Sequence, residues 1–167
     1  METHELFLLI GSNQGDREAL LRQAARQIDR RIGAVSGRSK IYRTAPWGDF
    51  GPGGPPQDFL NQALRVSTPL APSDCLARAL DIERDLGRVR EARGHYASRT
   101  IDIDLILYDA LVRQTEPLTL PHPRMHLRRF VLVPLCDIAP DLIHPIFNKT
   151  LSQLLCECPD TSSCSCY

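Results

Sequence analysis

The stretch Arg99-Thr100-Ile101-Asp102-Ile103-Asp104-Leu105-Ile106-Leu107-Tyr108 alternates polar and apolar residues from Thr100 to Asp104. A period of two marks a half-buried strand, in which side chains two apart share a face. Asp102 and Asp104 therefore point the same way, their Cα atoms about 6.6 Å apart at a rise of roughly 3.3 Å per residue. Ile101, Ile103, Leu105 and Leu107 are expected on the opposite face, packed on helices. Two carboxylates on one face repel each other unless a cation sits between them. Hard oxygen donors of this kind suit Mg²⁺, which commonly takes one or two protein carboxylates and completes its shell with substrate phosphates. Read alone, the run fits equally well a solvated sheet face that carries two acids. Its neighbours have to decide.

Upstream, Leu6–Ile10 is an apolar run of strand length, ended by Gly11-Ser12-Asn13. Asp16 is placed to cap a helix whose apolar stripe is Leu20, Leu21, Ala24, Ala25 and Ile28, and Gly33 ends it. Val35 to Tyr42 has strand character with a polar middle. Residues 44–57 are dominated by glycine and proline, a long loop of the kind that is functional or mobile inside compact domains. Phe59–Ser67 reads as a strand, and Pro72 opens a second helix that Gly87 stops. A second loop, 88–98, carries Arg88, Arg90, Glu91 and Arg93. Beyond the acidic strand come a turn at Asp109-Ala110 and two short candidate strands, Leu111–Val112 and Leu118–Leu120. An apolar run, Phe130–Leu135, follows, and Thr150 can cap a last helix, Leu151–Leu155. The order β-α-β-β-α-β predicts an α+β, ferredoxin-like sandwich, mostly antiparallel, with helices packed on one face. Residues 1–155 are expected to form one domain.

The 167 residues suffice for one domain with a sizeable core. Formal net charge is +0, so no global field draws nucleic acid or an anionic membrane. No apolar run reaches the roughly 18 residues of a membrane span. Leu6–Ile10 lacks the basic start of a signal peptide. A cytoplasmic protein is the expectation. Of the six cysteines, Cys75 and Cys136 lie in apolar segments and read as core residues. Cys156, Cys158, Cys164 and Cys166 form two C-x-C pairs that could bind a soft metal. Few apolar anchors accompany them, however, and Asp160, Thr161, Ser162 and Ser163 favour disorder. Residues 156–167 are therefore expected to be a disordered, dispensable tail.

Basic residues cluster on both sides of the acidic strand. Arg84, Arg88, Arg90, Arg93 and Arg99 outnumber Asp85 and Glu91, and His122, Arg124, His126, Arg128 and Arg129 form a second group. A carboxylate pair for Mg²⁺ among arginines is what polyphosphate chemistry requires. No G-x-x-x-x-G-K-[ST] phosphate loop occurs. Gly11-Ser12-Asn13 is either an anion site at a helix N-terminus or a plain turn. Phe59 and Phe130 are either core residues or two rings that grip a flat heterocycle. Asn61 shares the sheet face of Phe59, and its amide offers a donor and an acceptor to the edge of such a ring.

Six pieces, in order, resemble the 6-hydroxymethyl-7,8-dihydropterin pyrophosphokinase family. They are GSN at 11–13, YRTAPWG at 42–48, FLN at 59–61, ER-x-LGR-x-R at 83–90, RTIDIDLILY at 99–108 and LTLPHPRMHLRRFVLVPL at 118–135. The resemblance implies a ferredoxin-like fold and transfer of pyrophosphate from ATP to the pterin hydroxymethyl group, with release of AMP, in folate biosynthesis. It implies that Asp102 and Asp104 hold two Mg²⁺ ions. Phe59 and Phe130 would sandwich the pterin, and Asn61 with Thr44 and Ala45 would read its edge. Arg88, Arg99, His122 and Arg128 would contact phosphates or assist catalysis, while Glu83, Ile103 and Thr119 would lie near the nucleotide. Loops 44–57 and 88–98 would close over the substrates. ATP and the dihydropterin would be the partners of a monomer, without nucleic acid or membrane. The chain departs from the family at Gly94-His95-Tyr96-Ala97-Ser98, at Pro123 and at Leu80. A ligand-binding module on the same fold would not need both aspartates, and an RNA-binding module would need an aromatic-rich strand and a basic face.

Overall fold

The computed structural model describes residues 2–46, 51–54, 57–87 and 101–167. Its centre is β1 (His4–Ser12), flanked by β4 (Phe59–Thr68) on one side and β5 (Asp102–Tyr108) on the other. Both faces of β1 are covered, which is why Leu6–Ile10 is continuously apolar instead of alternating. β4 pairs along its other side with β2 (Ala34–Arg38) and β3 (Tyr42–Thr44). The sheet order is β5-β1-β4-β3-β8, where β8 is Cys164–Cys166, and each pairing is antiparallel. With α1 (Arg17–Arg31) and α2 (Pro72–Asp85) as the two crossovers, this is the ferredoxin-like arrangement. A small hairpin of β6 (Arg113–Thr115) and β7 (Leu118–Leu120) stands beside β5.

The sheet has two apolar layers. Leu6, Leu8 and Ile10 meet Leu21, Ala24 and Ile28 of α1 and Ala79 and Ile82 of α2. On the opposite face Phe7, Leu9 and Ala63 meet Val131, Leu132 and Leu135 of α3 (Arg129–Ile138) and Leu151 and Leu154 of α4 (Leu151–Glu157). The expectation of helices on one face describes α1 and α2. It misses α3 and α4, because the apolar run 130–135 has no turn signal to aim it at a particular layer.

Several local readings hold. The Asp16 carboxylate accepts from Ala19 N at 3.1 Å, capping α1. Thr150 and Gln153 form a reciprocal capping box at the start of α4. Gly33 follows α1, but for a steric reason: a Cβ there would lie 2.2 Å from the Ser67 carbonyl oxygen. Other readings need correction. The strand expected over Val35–Tyr42 is broken, because Ser39 turns its hydroxyl to Ala63 N (2.8 Å) while its own N–H donates to Ala63 O (2.9 Å). Gly11 and Ser12 are the last residues of β1, not a turn.

β5 and the region beyond α4 also depart from the pattern read in the sequence. Between Leu105 and Leu107 the register with β1 shifts, so Leu8 faces Leu105 while Phe7 faces Leu107. Ile106 is the extra residue of a β-bulge, and such a residue reverses the facing of all that follow. Ile103 and Leu105 thus pack with α1 and α2, whereas Leu107, expected beside them, joins the α3–α4 layer. Residues 156–167, expected as a disordered tail, extend α4 to Glu157 and end in β8 paired to β3. Among the described residues, no helix is long and apolar enough to cross a membrane.

Candidate active site

A cavity of about 170 Å³ opens on the α3–α4 face of the sheet, where the C-terminal end of β1 meets its neighbours. Its floor is sheet. Leu9 and Gly11 of β1 pair with Asp104 and Asp102 of β5, and Gly11 pairs on its other side with Asn61 of β4. The alternation read in the sequence is what aims both aspartates into the cavity, since Ile103 between them is 4% exposed and packs in the other layer. One wall comes from Thr44 and Ala45 at the end of β3 and from Phe59 at the start of β4. His122, Arg128 and Phe130 complete the lining.

The amide end is held by packing and hydrogen bonding. Asn61 is 4% exposed, and its Nδ2 donates to Thr44 Oγ1 at 3.0 Å. That bond fixes the amide orientation, so Oδ1 is the acceptor aimed elsewhere. Gly11 is what makes room: a Cβ on it would lie 2.6 Å from Asn61 Oδ1. The aromatic end joins the charged end through Arg128, whose guanidinium lies 5.7 Å from the Phe130 ring centre.

His122 hangs from the bulge of β5, its backbone N–H donating to Ile106 O at 2.8 Å. Its Nδ1 accepts from Arg124 N at 3.2 Å, so the neutral ring carries its proton on Nε2. Burial, reinforced by Arg128 and Arg124 and opposed by Asp102, pulls its pKa down to about 4. At neutral pH it is thus an uncharged donor, suited to a phosphate oxygen.

Glu83 is 3% exposed and accepts from Ile103 N at 2.9 Å, holding the backbone between the two aspartates. Since β5 is an edge strand, this bond also covers an edge donor. Glu83, Ile103 and Thr119 are not among the lining residues, whereas Asp102, Asp104, Thr44, Ala45, Phe59, Asn61, His122, Arg128 and Phe130 all are. Arg88 and Arg99, together with loop 88–98, lie outside the described residues. Leu9 also lines the cavity, unsignalled by the sequence, and Gly11, a candidate for an anion site at a helix N-terminus, instead lines it from within β1. Their position opposite Asn61 and the aspartates emerges only from strand register.

The donor set fits Mg²⁺. Two partly exposed carboxylates on one rigid strand supply hard oxygens, and among the described residues no cluster of three His, Cys, Asp or Glu forms a closed protein cage. A cation that draws its other ligands from phosphate and water matches such a half-built site.

Known proteins similar to this chain are pterin pyrophosphokinases. A family described as 7,8-dihydro-6-hydroxymethylpterin-pyrophosphokinase (HPPK) matches residues 7–140. The 2-amino-4-hydroxy-6-hydroxymethyldihydropteridine pyrophosphokinase of Methylorubrum extorquens is 45% identical over 151 residues, covering 89% of this chain and 90% of the relative. The enzyme of the same name from Porphyromonas gingivalis is 41% identical over 142 residues, covering 84% of this chain and 93% of the relative. Among solved structures, an HPPK-DHPS in complex with substrates superposes with a TM-score of 0.75 at 14% identity, over 94% of this chain and 43% of that one. Plasmodium falciparum HPPK-DHPS gives 0.72 at 15%, over 93% and 45%. The chain thus spans less than half of those longer chains, and at this identity the likeness speaks for the fold. With the family match over most of the chain and near full-length relatives above 40% identity, the chain belongs to the 7,8-dihydro-6-hydroxymethylpterin-pyrophosphokinase family.

Proposed function

We infer that the cavity is where this chain carries out its family's reaction, transfer of pyrophosphate from ATP to the hydroxymethyl group of 6-hydroxymethyl-7,8-dihydropterin in folate biosynthesis. The observation that carries the residue assignment is the meeting, in one cavity, of an acid pair with an aromatic and amide pair. The pterin oxygen attacks the β-phosphorus of ATP, the bond from that phosphorus to the α–β bridging oxygen breaks, AMP leaves, and the hydroxyl proton is lost. Phe59 and Phe130 hold the faces of the pterin ring, while Asn61 and the strand end Thr44–Ala45 bind its edge. This fixes the hydroxymethyl group near the phosphates, and positioning of this kind is a large part of catalysis in phosphoryl transfer. His122 donates from Nε2 to a phosphate oxygen, and Arg128 supplies positive charge beside it. Arg88 and Arg99 are assigned to the phosphates as well, on the strength of the sequence motifs. Asp102 and Asp104 would hold Mg²⁺, two ions in this reading, which when bound offsets charge on the phosphate oxygens. Glu83 acts through the backbone of Ile103 by keeping the acid pair in place. Zero formal net charge supports small-molecule substrates and not nucleic acid, and we read the protein as a cytoplasmic monomer.

The test mixes the protein with ATP, Mg²⁺ and hydroxymethyl-dihydropterin and follows AMP. AMP release that requires the pterin is expected, and Asp102→Ala or Asp104→Ala should abolish it while the fold persists. No pterin-dependent release refutes the reading, and near-normal rates in both variants refute the metal assignment.

A further inference from the structure

Residues 158–167 touch both elements that form the pterin end of the cavity. Asp160 Oδ2 accepts from Arg129 N at 3.0 Å, and Arg129 stands between the cavity residues Arg128 and Phe130. Arg128 is the N-cap of α3 and offers no side-chain acceptor, so Asp160 supplies the cap from outside the helix. The other oxygen of Asp160 accepts from Ser162 N at 2.9 Å and Ser162 Oγ at 2.6 Å, which orients the carboxylate. The chain then enters β8, where Cys164 pairs with Thr44 and Cys166 with Tyr42, and Tyr167 N donates to Ile41 O at 2.9 Å.

β3 and α3 are therefore joined twice. Away from the cavity, Tyr42 OH donates to Asp137 at 2.8 Å. At the cavity, the bridge is Asp160 on Arg129 and β8 on Thr44. Arg129 and Asp137 are eight residues apart, about 12 Å along the helix, so the end that bears Phe130 is held by the packing of Val131 and Leu132 on the sheet and by Asp160, not by Tyr42. From Pro159 onward no side chain belongs to either apolar core. The segment thus contributes a helix cap and backbone pairing, with Cys164 half-buried and the Tyr167 ring 6.0 Å from the Arg17 guanidinium, and no core side chain. These bonds lie next to two cavity residues, Thr44 on β3 and Phe130 on α3.

We propose that residues 158–167 form a strap that spaces β3 from α3 at the cavity, with Asp160 a positioning residue for Phe130 and hence for the pterin. This rests on the pterin reading given above. It assigns a role to a segment that composition alone marks as dispensable.

The test compares wild type with Asp160→Ala, Asp160→Asn and a chain truncated after Cys158. Initial rates are measured with each substrate varied, together with amide hydrogen exchange over residues 129–132. Loss of a helix cap corresponds to about a fivefold change in an equilibrium. The KM for the dihydropterin should rise about fivefold in Asp160→Ala and further in the truncated chain, with the KM for ATP within about twofold of wild type. Asp160→Asn, which keeps a carbonyl acceptor, should recover most of the loss. An unchanged pterin KM, or equal rises in both KM values, overturns the proposal. Should truncation unfold the chain, the point variants decide. If wild type releases no pterin-dependent AMP, the pterin reading fails, and the strap is judged by exchange alone: unchanged protection at 129–132 in Asp160→Ala overturns it.

Discussion

Replacing Gly11 by alanine tests the site at its least conspicuous residue. The added Cβ would lie 2.6 Å from Asn61 Oδ1, well inside the 3.4 Å at which ordinary contact begins. Asn61 is 4% exposed and tied to Thr44 by its Nδ2, so the amide cannot swing away without giving up that bond. Leaving a buried amide unpaired costs about 1–3 kcal/mol. If Asn61 reads the pterin edge, the same displacement weakens binding by about 5- to 150-fold at 1.4 kcal/mol per factor of ten. ATP, bound beside the aspartates and His122, should be affected much less. The assay is pterin-dependent AMP release with each substrate varied in turn, alongside a thermal melt. A pterin KM within twofold of wild type in a folded variant would refute the idea that Gly11 makes room for the reading amide.

Other expectations follow from neighbouring contacts. Glu83→Ala leaves the Ile103 N–H without its carboxylate and should cost about 2–3 kcal/mol, seen as a melting point about 4–12 °C lower for a chain of this size; Glu83→Gln, which keeps an acceptor, should lose less than half as much. Gly33→Ala drives a Cβ against the backbone of Ser67, which no rotamer can relieve, and should lower the urea midpoint by the equivalent of about 3 kcal/mol. Burial lowers the pKa of His144, 2% exposed, to about 4, reinforced by His126; burial also lowers His122 to about 4. Both rings are protonated more readily in the unfolded chain, so stability is full above about pH 6.5 and falls as pH drops toward 4. His144 Nδ1 accepts from Ile146 N and Phe147 N and cannot do so when protonated. His144→Asn should therefore flatten the decline in urea midpoint between pH 7 and 4.5, and an unaltered slope would rule out this origin.

The sheet and its two crossovers were legible because periodicity and caps are local signals. Asp16 and Thr150 were readable as caps for the same reason, as was the shared face of Asp102 and Asp104. What escaped depends on partners distant in sequence. The second helical layer could not be placed, since an apolar run does not say which face it will cover. Alternation alone puts Leu107 in the α1–α2 layer, because a bulge is a property of the pair β1–β5, not of either strand alone. Gly11 entered the site through its register with Asn61 and Asp102, 50 and 91 residues away. Residues 156–167 look polar and unanchored as a composition, yet their anchors are backbone groups of β3 and α3, and composition does not encode these.

The bulge at Ile106 also makes β5 an index with two independent readers. The first half of the strand is matched to the α1–α2 layer through Ile103 and Leu105, and Ile106 and Leu107 are matched to the α3–α4 layer. A slip of one residue would push Asp102 and Asp104 toward an apolar interior and would also turn Leu107 out of its layer. No compensating change in a single helix could repair both errors. The acid pair is thereby guarded against misregistration by residues that never approach a substrate.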